Sequence, residues 1–178
     1  NEGAANGPNY VIGPNYISSG PNSLPNLAYV ETGLLLDPND TTTPQTLYAY
    51  SDRRFAGETI GRGIYRSTDG GNTWTDFSGS LGIIGGTNVA QKHIQSAAIA
   101  SDGTLMVGTR GGIFKSSTSS ASWTAISSLL PPGNPSVRDI EVDGTNVYAA
   151  VTYGLANGGT GPDTGIYGGT TTTCCTKL

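Results

Sequence analysis

The chain has 178 residues with 13 acidic and 9 basic side chains, a formal net charge of -4, and only 12% charged residues. This balance argues against nucleic-acid binding, because proteins that bind nucleic acid carry a basic patch that neutralises phosphates. No apolar run reaches the roughly 18 residues that cross a bilayer, and a charged fraction well below the usual one predicts an extracellular or cell-surface protein without a membrane span.

The first 26 residues repeat a Gly-Pro-Asn step three times, beginning at Gly7, Gly13 and Gly20. Such steps break regular secondary structure, since glycine and proline both favour turns. We therefore predict that residues 1–26 form an extended arm or linker. A docking arm is the alternative, because the repeated tyrosine and isoleucine side chains could pack on a neighbouring surface.

From Leu27 onward, short β-rich runs are separated by turn residues, and no amphipathic helix of ten residues is present in the pattern. A first group of four strands is predicted at residues 29–36, 46–50, 63–66 and 73–77. The same order recurs at residues 94–100, 104–109, 112–115 and 122–126. A third group has only three predicted strands, at residues 137–142, 146–152 and 165–167. Glycine, isoleucine and an aromatic residue open the third strand of each group, at Gly63, Gly112 and Gly165.

Four strands in a repeat of about 40–50 residues is typical of a β-propeller blade. We predict an all-β chain of antiparallel blades, with a first blade over 27–93 that has long loops after its second and fourth strands. The second blade covers 94–136, and the third, over 137–178, is truncated or degenerate. Because propellers close with about four to eight blades, three are too few. We therefore expect self-association or further blades from a longer chain.

One turn, between the third and fourth strands of the first blade, carries the motif Ser67-Thr-Asp69-Gly-Gly71-Asn-Thr-Trp74. It resembles the Asp-box (BNR) consensus Ser-x-Asp-x-Gly-x-x-Trp of sialidase, xyloglucanase-like and sortilin-type propellers. A short aspartate can accept hydrogen bonds from backbone N–H groups of the turn, and glycines at 70 and 71 tolerate positive φ. Trp74 is expected to pack between blade sheets. The motif therefore predicts a structural turn.

The second and third copies depart from this consensus. The second keeps Ser116 and Trp123 as its structural box residues but has Thr118 and Ser120 where the consensus has aspartate and glycine. Hydroxyl groups could cap that turn more weakly than a carboxylate. In the third copy residues 170–175 occupy the place of the box, and neither aspartate nor tryptophan is present there.

The resemblance covers residues 27–178 and implies a box on the propeller face away from an active site, so it assigns no catalytic residue. Our first hypothesis is a non-catalytic extracellular propeller segment with a structural, adhesive or assembly role. A fragment of a secreted sialidase- or xyloglucanase-like glycoside hydrolase, or a glycan-binding lectin-like module, are the alternatives. A hydrolase would need two carboxylates about 5–9.5 Å apart across its substrate, and no local motif singles out such a pair.

Long loops on the opposite face are the predicted place for a ligand, because loops on a rigid scaffold often carry binding residues. Arginine offers a bidentate fork for carboxylates, and aromatic rings offer a stacking surface for sugars. The candidate ligand-binding residues are Arg53, Arg54, Phe55, Glu58, Arg62, His93, Tyr153 and Asp163. A glycan or a protein surface is the expected partner. The alternative is a solvated loop with a local ion pair, and for His93 a residue that merely begins a strand.

The two cysteines, Cys174 and Cys175, are adjacent. They match no zinc or redox spacing and cannot close a long loop, so their redox state stays open. With no metal-binding or cofactor motif in the sequence, neither a metal nor a cofactor is expected.

Overall fold

The computed structural model describes residues 32–51, 63–81, 93–132, 135–153, 161 and 163–178. Within these ranges the chain forms twelve strands in three four-stranded antiparallel sheets and contains no helix, which confirms the predicted all-β class. It follows that the described ranges include no helical segment able to cross a membrane. The predicted arm, residues 1–26, lies outside them.

Each sheet is a simple meander in which strands adjacent in sequence are adjacent in space. The first sheet contains β1 (Thr32–Leu36), β2 (Leu47–Ser51), β3 (Gly63–Ser67) and β4 (Thr75–Asp76). The second contains β5 (Ile94–Ile99), β6 (Thr104–Thr109), β7 (Gly112–Ser117) and β8 (Ser120–Ala125). The third contains β9 (Pro135–Asp143), β10 (Asn146–Tyr153), β11 (Gly165–Thr170) and β12 (Thr176–Lys177).

The third sheet has a fourth strand that the sequence did not reveal. In β12, Thr176 pairs with Gly168 and Lys177 pairs with Tyr167. The strand is two residues long with both side chains exposed, so it has no alternation of apolar and polar residues to detect. The third blade is therefore degenerate in its turn and complete in its number of strands.

The second sheet lies between the other two and contacts both of them. It can do so because successive side chains of a strand point to opposite faces of the sheet. Leu105 and Val107 of β6 pack with the first sheet, whereas Met106 between them packs with the third. The β6 side chains are consequently buried on both faces, as the near-continuous apolar pattern of this strand requires. The three sheets form an open row of propeller-like blades and do not close a ring within the described residues.

Candidate functional site

The turn between β3 and β4 is held by its own side chains. The Ser67 hydroxyl donates to Asp69 Oδ1 (2.8 Å) and accepts from the backbone N–H of Gly71 (2.9 Å). Asp69 also accepts from the backbone N–H of Thr73 (2.8 Å) and from its hydroxyl (2.6 Å). The Trp74 indole N–H donates to the Gly71 carbonyl (3.0 Å). The polar groups of this turn are therefore engaged in stabilising the turn.

Gly70 and Gly71 adopt φ angles of 72° and 91°, a left-handed region that strains other residues. The turn they allow brings Trp74 back over its own sheet. There the indole packs on the face of the first sheet that points away from the second, against Leu47, Ala49 and Tyr65.

The carboxyl group of Asp69 is a stronger acid than an ordinary aspartate. Hydrogen bonds from the Thr73 hydroxyl, the Thr73 N–H and the Ser67 hydroxyl lower the pKa of Asp69 from 3.8 to about 2. These donors favour the charged carboxylate over the protonated acid. The folded turn therefore stabilises the ionised form of the Asp69 carboxyl group.

We expect Asp69→Ala to reduce stability near neutral pH by more than at acid pH. A depressed folded-state pKa contributes stability above the unfolded value, near 3.8, and that contribution disappears as the pH falls to about 2. Chemical unfolding of wild type and variant across this window measures the difference. The control is Asp143→Ala, an exposed aspartate at the end of β9. A difference between wild type and Asp69→Ala that stays constant down to pH 2 would contradict the role of the carboxylate.

In the second sheet the corresponding turn is closed by hydroxyl groups. The Ser116 hydroxyl donates to the Ser120 carbonyl. Trp123, at the place of Trp74, is buried between the first and second sheets, and its indole N–H donates to the Phe77 carbonyl (3.0 Å). The packing between two sheets that was expected of Trp74 is thus made by Trp123, whereas Trp74 packs on the face of its own sheet that points away from the second sheet.

In the third sheet Cys175 occupies the position of the two tryptophans. In each sheet the aromatic residue of the glycine-isoleucine-aromatic anchor pairs with a residue at the last strand, and these partners are Asp76, Ala125 and Lys177. Trp74, Trp123 and Cys175 each lie two residues before that partner. Cys174 and Cys175 are joined as a vicinal disulfide and are fully buried between the second and third sheets. The sequence did not reveal this correspondence, because the third turn is one residue shorter than the others.

Tyr48 joins the first two sheets, a role that the sequence analysis missed. Its hydroxyl donates to the carbonyl of Thr118 in the turn between β7 and β8 (2.7 Å). Burial raises the pKa of Tyr48 to about 12, although the cation of Arg66 opposes the rise. An aromatic residue in the second strand of a blade was the available signal, but it does not indicate which neighbour the hydroxyl reaches.

Asp102 joins the second and third sheets in a similar way. Its carboxylate accepts from the Thr104 N–H (2.9 Å) and from the Thr171 hydroxyl (3.0 Å). Lys115 Nζ donates to the Thr171 carbonyl (2.9 Å) beside it. Although desolvation opposes the effect, the hydrogen bonds from Thr104 and Thr171 lower the pKa of Asp102. Asp102, Lys115 and Thr171 therefore hydrogen-bond the second sheet to the third.

Five of the candidate ligand-binding residues lie outside the described residues, and their role stays a prediction: Arg53, Arg54, Phe55, Glu58 and Arg62. Two of the other described arginines make side-chain contacts within the sheets. The Arg66 guanidinium lies 5.7 Å from the centre of the Phe77 ring, and Arg138 Nε donates to the Thr152 hydroxyl (3.2 Å).

Tyr153 and Asp163 come together at one corner of the third sheet. Tyr153 is buried, with 6% of its surface exposed, and its hydroxyl donates to the Pro131 carbonyl (3.1 Å). The neighbouring Tyr167 hydroxyl donates to the Asp163 carbonyl. Burial, then Tyr167 and the charge of Asp163, raise the pKa of Tyr153 to about 12. The Tyr153 ring packs between the second and third sheets, while Asp163 is half-buried.

His93 directly precedes β5 and is half-buried. Its carbonyl accepts a hydrogen bond from the backbone N–H of Arg110 (3.3 Å). Over the described part of the chain, no group of three His, Cys, Asp or Glu side chains is arranged as metal ligands are.

No family model matches the chain, and neither does any curated protein. Among solved structures it is similar to an extracellular domain assigned to a hybrid two-component system of B. thetaiotaomicron, with a TM-score of 0.50 and 14% sequence identity. The similarity covers 77% of this chain and 15% of that chain, so this chain spans a small part of that protein's length. At such low identity the likeness supports the fold described above, three stacked four-stranded sheets, and carries no information on function.

Proposed function

We propose that this chain is a non-catalytic segment of an extracellular Asp-box β-propeller, whose stacked blades have a structural, adhesive or assembly role. The observation that carries the proposal is the Ser67–Trp74 turn. Ser67 and Asp69 direct their polar atoms at the turn's own backbone and hydroxyl groups, as a structural box requires. A carboxylate used in this way stabilises a blade and is not presented to a substrate.

The way the sheets are joined supports a scaffold role. Tyr48, Trp123 and Asp102 each hydrogen-bond across a boundary between sheets, and one cluster of buried apolar side chains lies at each boundary. Burial of apolar side chains on both faces of a central sheet couples the blades into one unit. An extracellular location is supported by the low charged fraction and by the likeness to an extracellular domain.

A hydrolysis panel tests the non-catalytic role. The chain is incubated with xyloglucan, other plant and bacterial polysaccharides and sialylated glycans, and released reducing sugar and sialic acid are measured. We expect no release above a heat-denatured control. Sustained release that Asp163→Asn abolishes would overturn the proposal in favour of a glycoside hydrolase, because Asp163 is the described carboxylate among the candidate ligand residues.

A second measurement addresses location. Protease treatment of intact cells of the native source should remove the protein if it lies outside the cell. Protection that is lost only after lysis would contradict an extracellular scaffold. A cytoplasmic marker followed in the same samples controls for lysis.

A further inference from the structure

The isoleucine of each glycine-isoleucine-aromatic anchor faces the sheet that follows in the chain. Ile64 of the first sheet packs on the second sheet and is 0% exposed, and Ile113 of the second packs on the third and is also 0% exposed. Ile166, the same residue in the third sheet, is 52% exposed. The repeat thus places an interface residue where the described chain provides no following sheet.

The central strands show the same relationship. Register with the anchor glycine makes Tyr48, Met106 and Tyr148 equivalent positions in β2, β6 and β10. Tyr48 and Met106 are fully buried against the following sheet, whereas Tyr148 is 43% exposed. Tyr148 lies directly opposite Gly168 of β11, on the same face of the third sheet as Ile166.

The last strands complete the pattern. The backbone N–H of Phe77, Ile126 and Leu178 donates to the carbonyl of the anchor isoleucine in its own sheet, at 2.8, 3.0 and 3.0 Å. Phe77 and Ile126 are buried against the following sheet, whereas Leu178 is 75% exposed and lies over Gly168. We call Tyr148, Ile166 and Leu178 the trailing face. All three positions of the trailing face are exposed, whereas their equivalents in the first two sheets are buried.

The first sheet shows the complementary exposure. Leu36, Ile99 and Val142 occupy equivalent positions in β1, β5 and β9. Their partners in the second strand of each sheet are Leu47, Leu105 and Val147. Ile99 packs on the first sheet and Val142 on the second, so this position faces the preceding sheet. Leu36 is 53% exposed.

Leu34 repeats the observation two residues earlier in β1. Its equivalents Ala97 and Ile140 pack on the preceding sheet, whereas Leu34 is 66% exposed. We call Leu34 and Leu36 the leading face. The first sheet therefore exposes two leucines at positions whose equivalents in the other sheets are interface residues.

The trailing face presents Tyr148 of β10, Ile166 of β11 and Leu178, the residue after β12, whereas β9 is polar on this side. Glu141 is in register with Tyr148, where the first two sheets have Leu35 and Ala98. A sheet that packs on the trailing face must therefore make its apolar contacts mainly at β10, β11 and the residue after β12. The leading face brings two exposed leucines to such a contact, since Leu34 and Leu36 lie in β1 beside Ala49, Tyr65 and Trp74, which are already buried on that side of the first sheet.

We propose that a second copy of this chain packs its leading face on the trailing face of the first copy, in the geometry by which the second sheet packs on the first. The inference rests on the proposed function, a propeller segment. Two copies of the three sheets that the described residues form make six, which lies within the roughly four to eight blades that close a propeller. With each trailing face on the other copy's leading face, both contacts are equivalent by a two-fold axis and the ring closes.

Sedimentation of the full chain tests the proposal. We expect a species of twice the 18.2 kDa chain mass, at protein concentrations up to about 100 μM. Ile166→Asp and Leu34→Asp should each weaken the dimer about ten-fold or more, because each buries a charge in an apolar contact. Leu129→Asp, at a leucine 49% exposed in the segment after β8, is the matched control and should leave the dimer unchanged.

Mixing the two variants identifies the arrangement. In a mixed pair, the intact leading face of Ile166→Asp meets the intact trailing face of Leu34→Asp, so one of the two contacts is restored. We expect more dimer in the mixture than in either variant alone. Far-ultraviolet circular dichroism confirms that each variant is folded.

Several results would overturn the inference. A wild-type chain that stays monomeric, or that forms species larger than two chains, excludes the two-chain ring. A dimer lost in Ile166→Asp and unchanged in Leu34→Asp would indicate that two trailing faces pair with each other. A monomer without glycan hydrolysis defeats this inference alone, whereas a dimer with hydrolysis defeats the proposed non-catalytic role alone.

Discussion

Replacing Trp123 by alanine is expected to lower the free energy of unfolding by about 3–5 kcal/mol, the range for large aromatic residues removed from a core. The Trp123 ring is buried between the first and second sheets and packs edge-on against Phe77, with 6.4 Å between ring centres. Its indole N–H donates to the Phe77 carbonyl, and its backbone N–H donates to the Ser80 hydroxyl. Because small domains are stable by only about 5–15 kcal/mol, this loss is a large fraction of the total.

Denaturant unfolding followed by circular dichroism measures the change. Trp123→Phe is the matched variant, since it keeps an aromatic ring and removes the indole N–H. It should cost about 1–3 kcal/mol, the penalty for leaving a buried carbonyl such as that of Phe77 without its donor. A loss below about 1 kcal/mol for Trp123→Ala would show that the sheets are not joined at this residue.

Replacing Gly79 by alanine is expected to cost about 2–4 kcal/mol, combining left-handed strain with overpacking. Gly79 follows β4 with a φ of 45°, and a Cβ atom there would overlap the carbonyl oxygen of Ala121 in β8. The obstacle is backbone, so no side chain can rotate away. The overlap would separate the first sheet from the second where the Ser80 N–H donates to the Ala121 carbonyl (3.4 Å).

Gly144→Ala separates the two contributions. Gly144 has a φ of 61°, and a Cβ atom built there has no atom within 4 Å. This variant should therefore carry the left-handed strain alone, about 1–2 kcal/mol, in the same unfolding experiment. Equal losses for Gly79→Ala and Gly144→Ala would refute close packing between the end of the first sheet and β8.

Turn residues and alternation in the sequence predict most strands of the fold. The pairs Asp102-Gly103 and Asp143-Gly144 mark the tight turns after β5 and β9, where glycine allows positive φ. The recurring glycine-isoleucine-aromatic anchor then aligns the three copies. Short strands without alternation, such as Thr176–Lys177, give no such signal, because their pairing is determined by the sheet beside them.

The candidate site was less predictable than the fold. The Asp69 motif indicates a turn stabilised by its own side chains, since the spacing of donors and acceptors is local in sequence. Tyr153 was predicted to contact a ligand from a loop, whereas it packs inside an interface and donates to Pro131. A tyrosine at the end of a strand is compatible with both environments, and only its long-range neighbours decide between them.

The sequence by itself determined the all-β class, the repeat and the order of the strands, because turn chemistry and alternation are local properties of the chain. Tertiary structure alone decided that Cys175 replaces a tryptophan, that Trp123 bridges two sheets, and that Ile166 is exposed where Ile64 and Ile113 are buried. Those features depend on which sheet lies against which, and an isoleucine has the same local pattern whether or not a neighbour covers it.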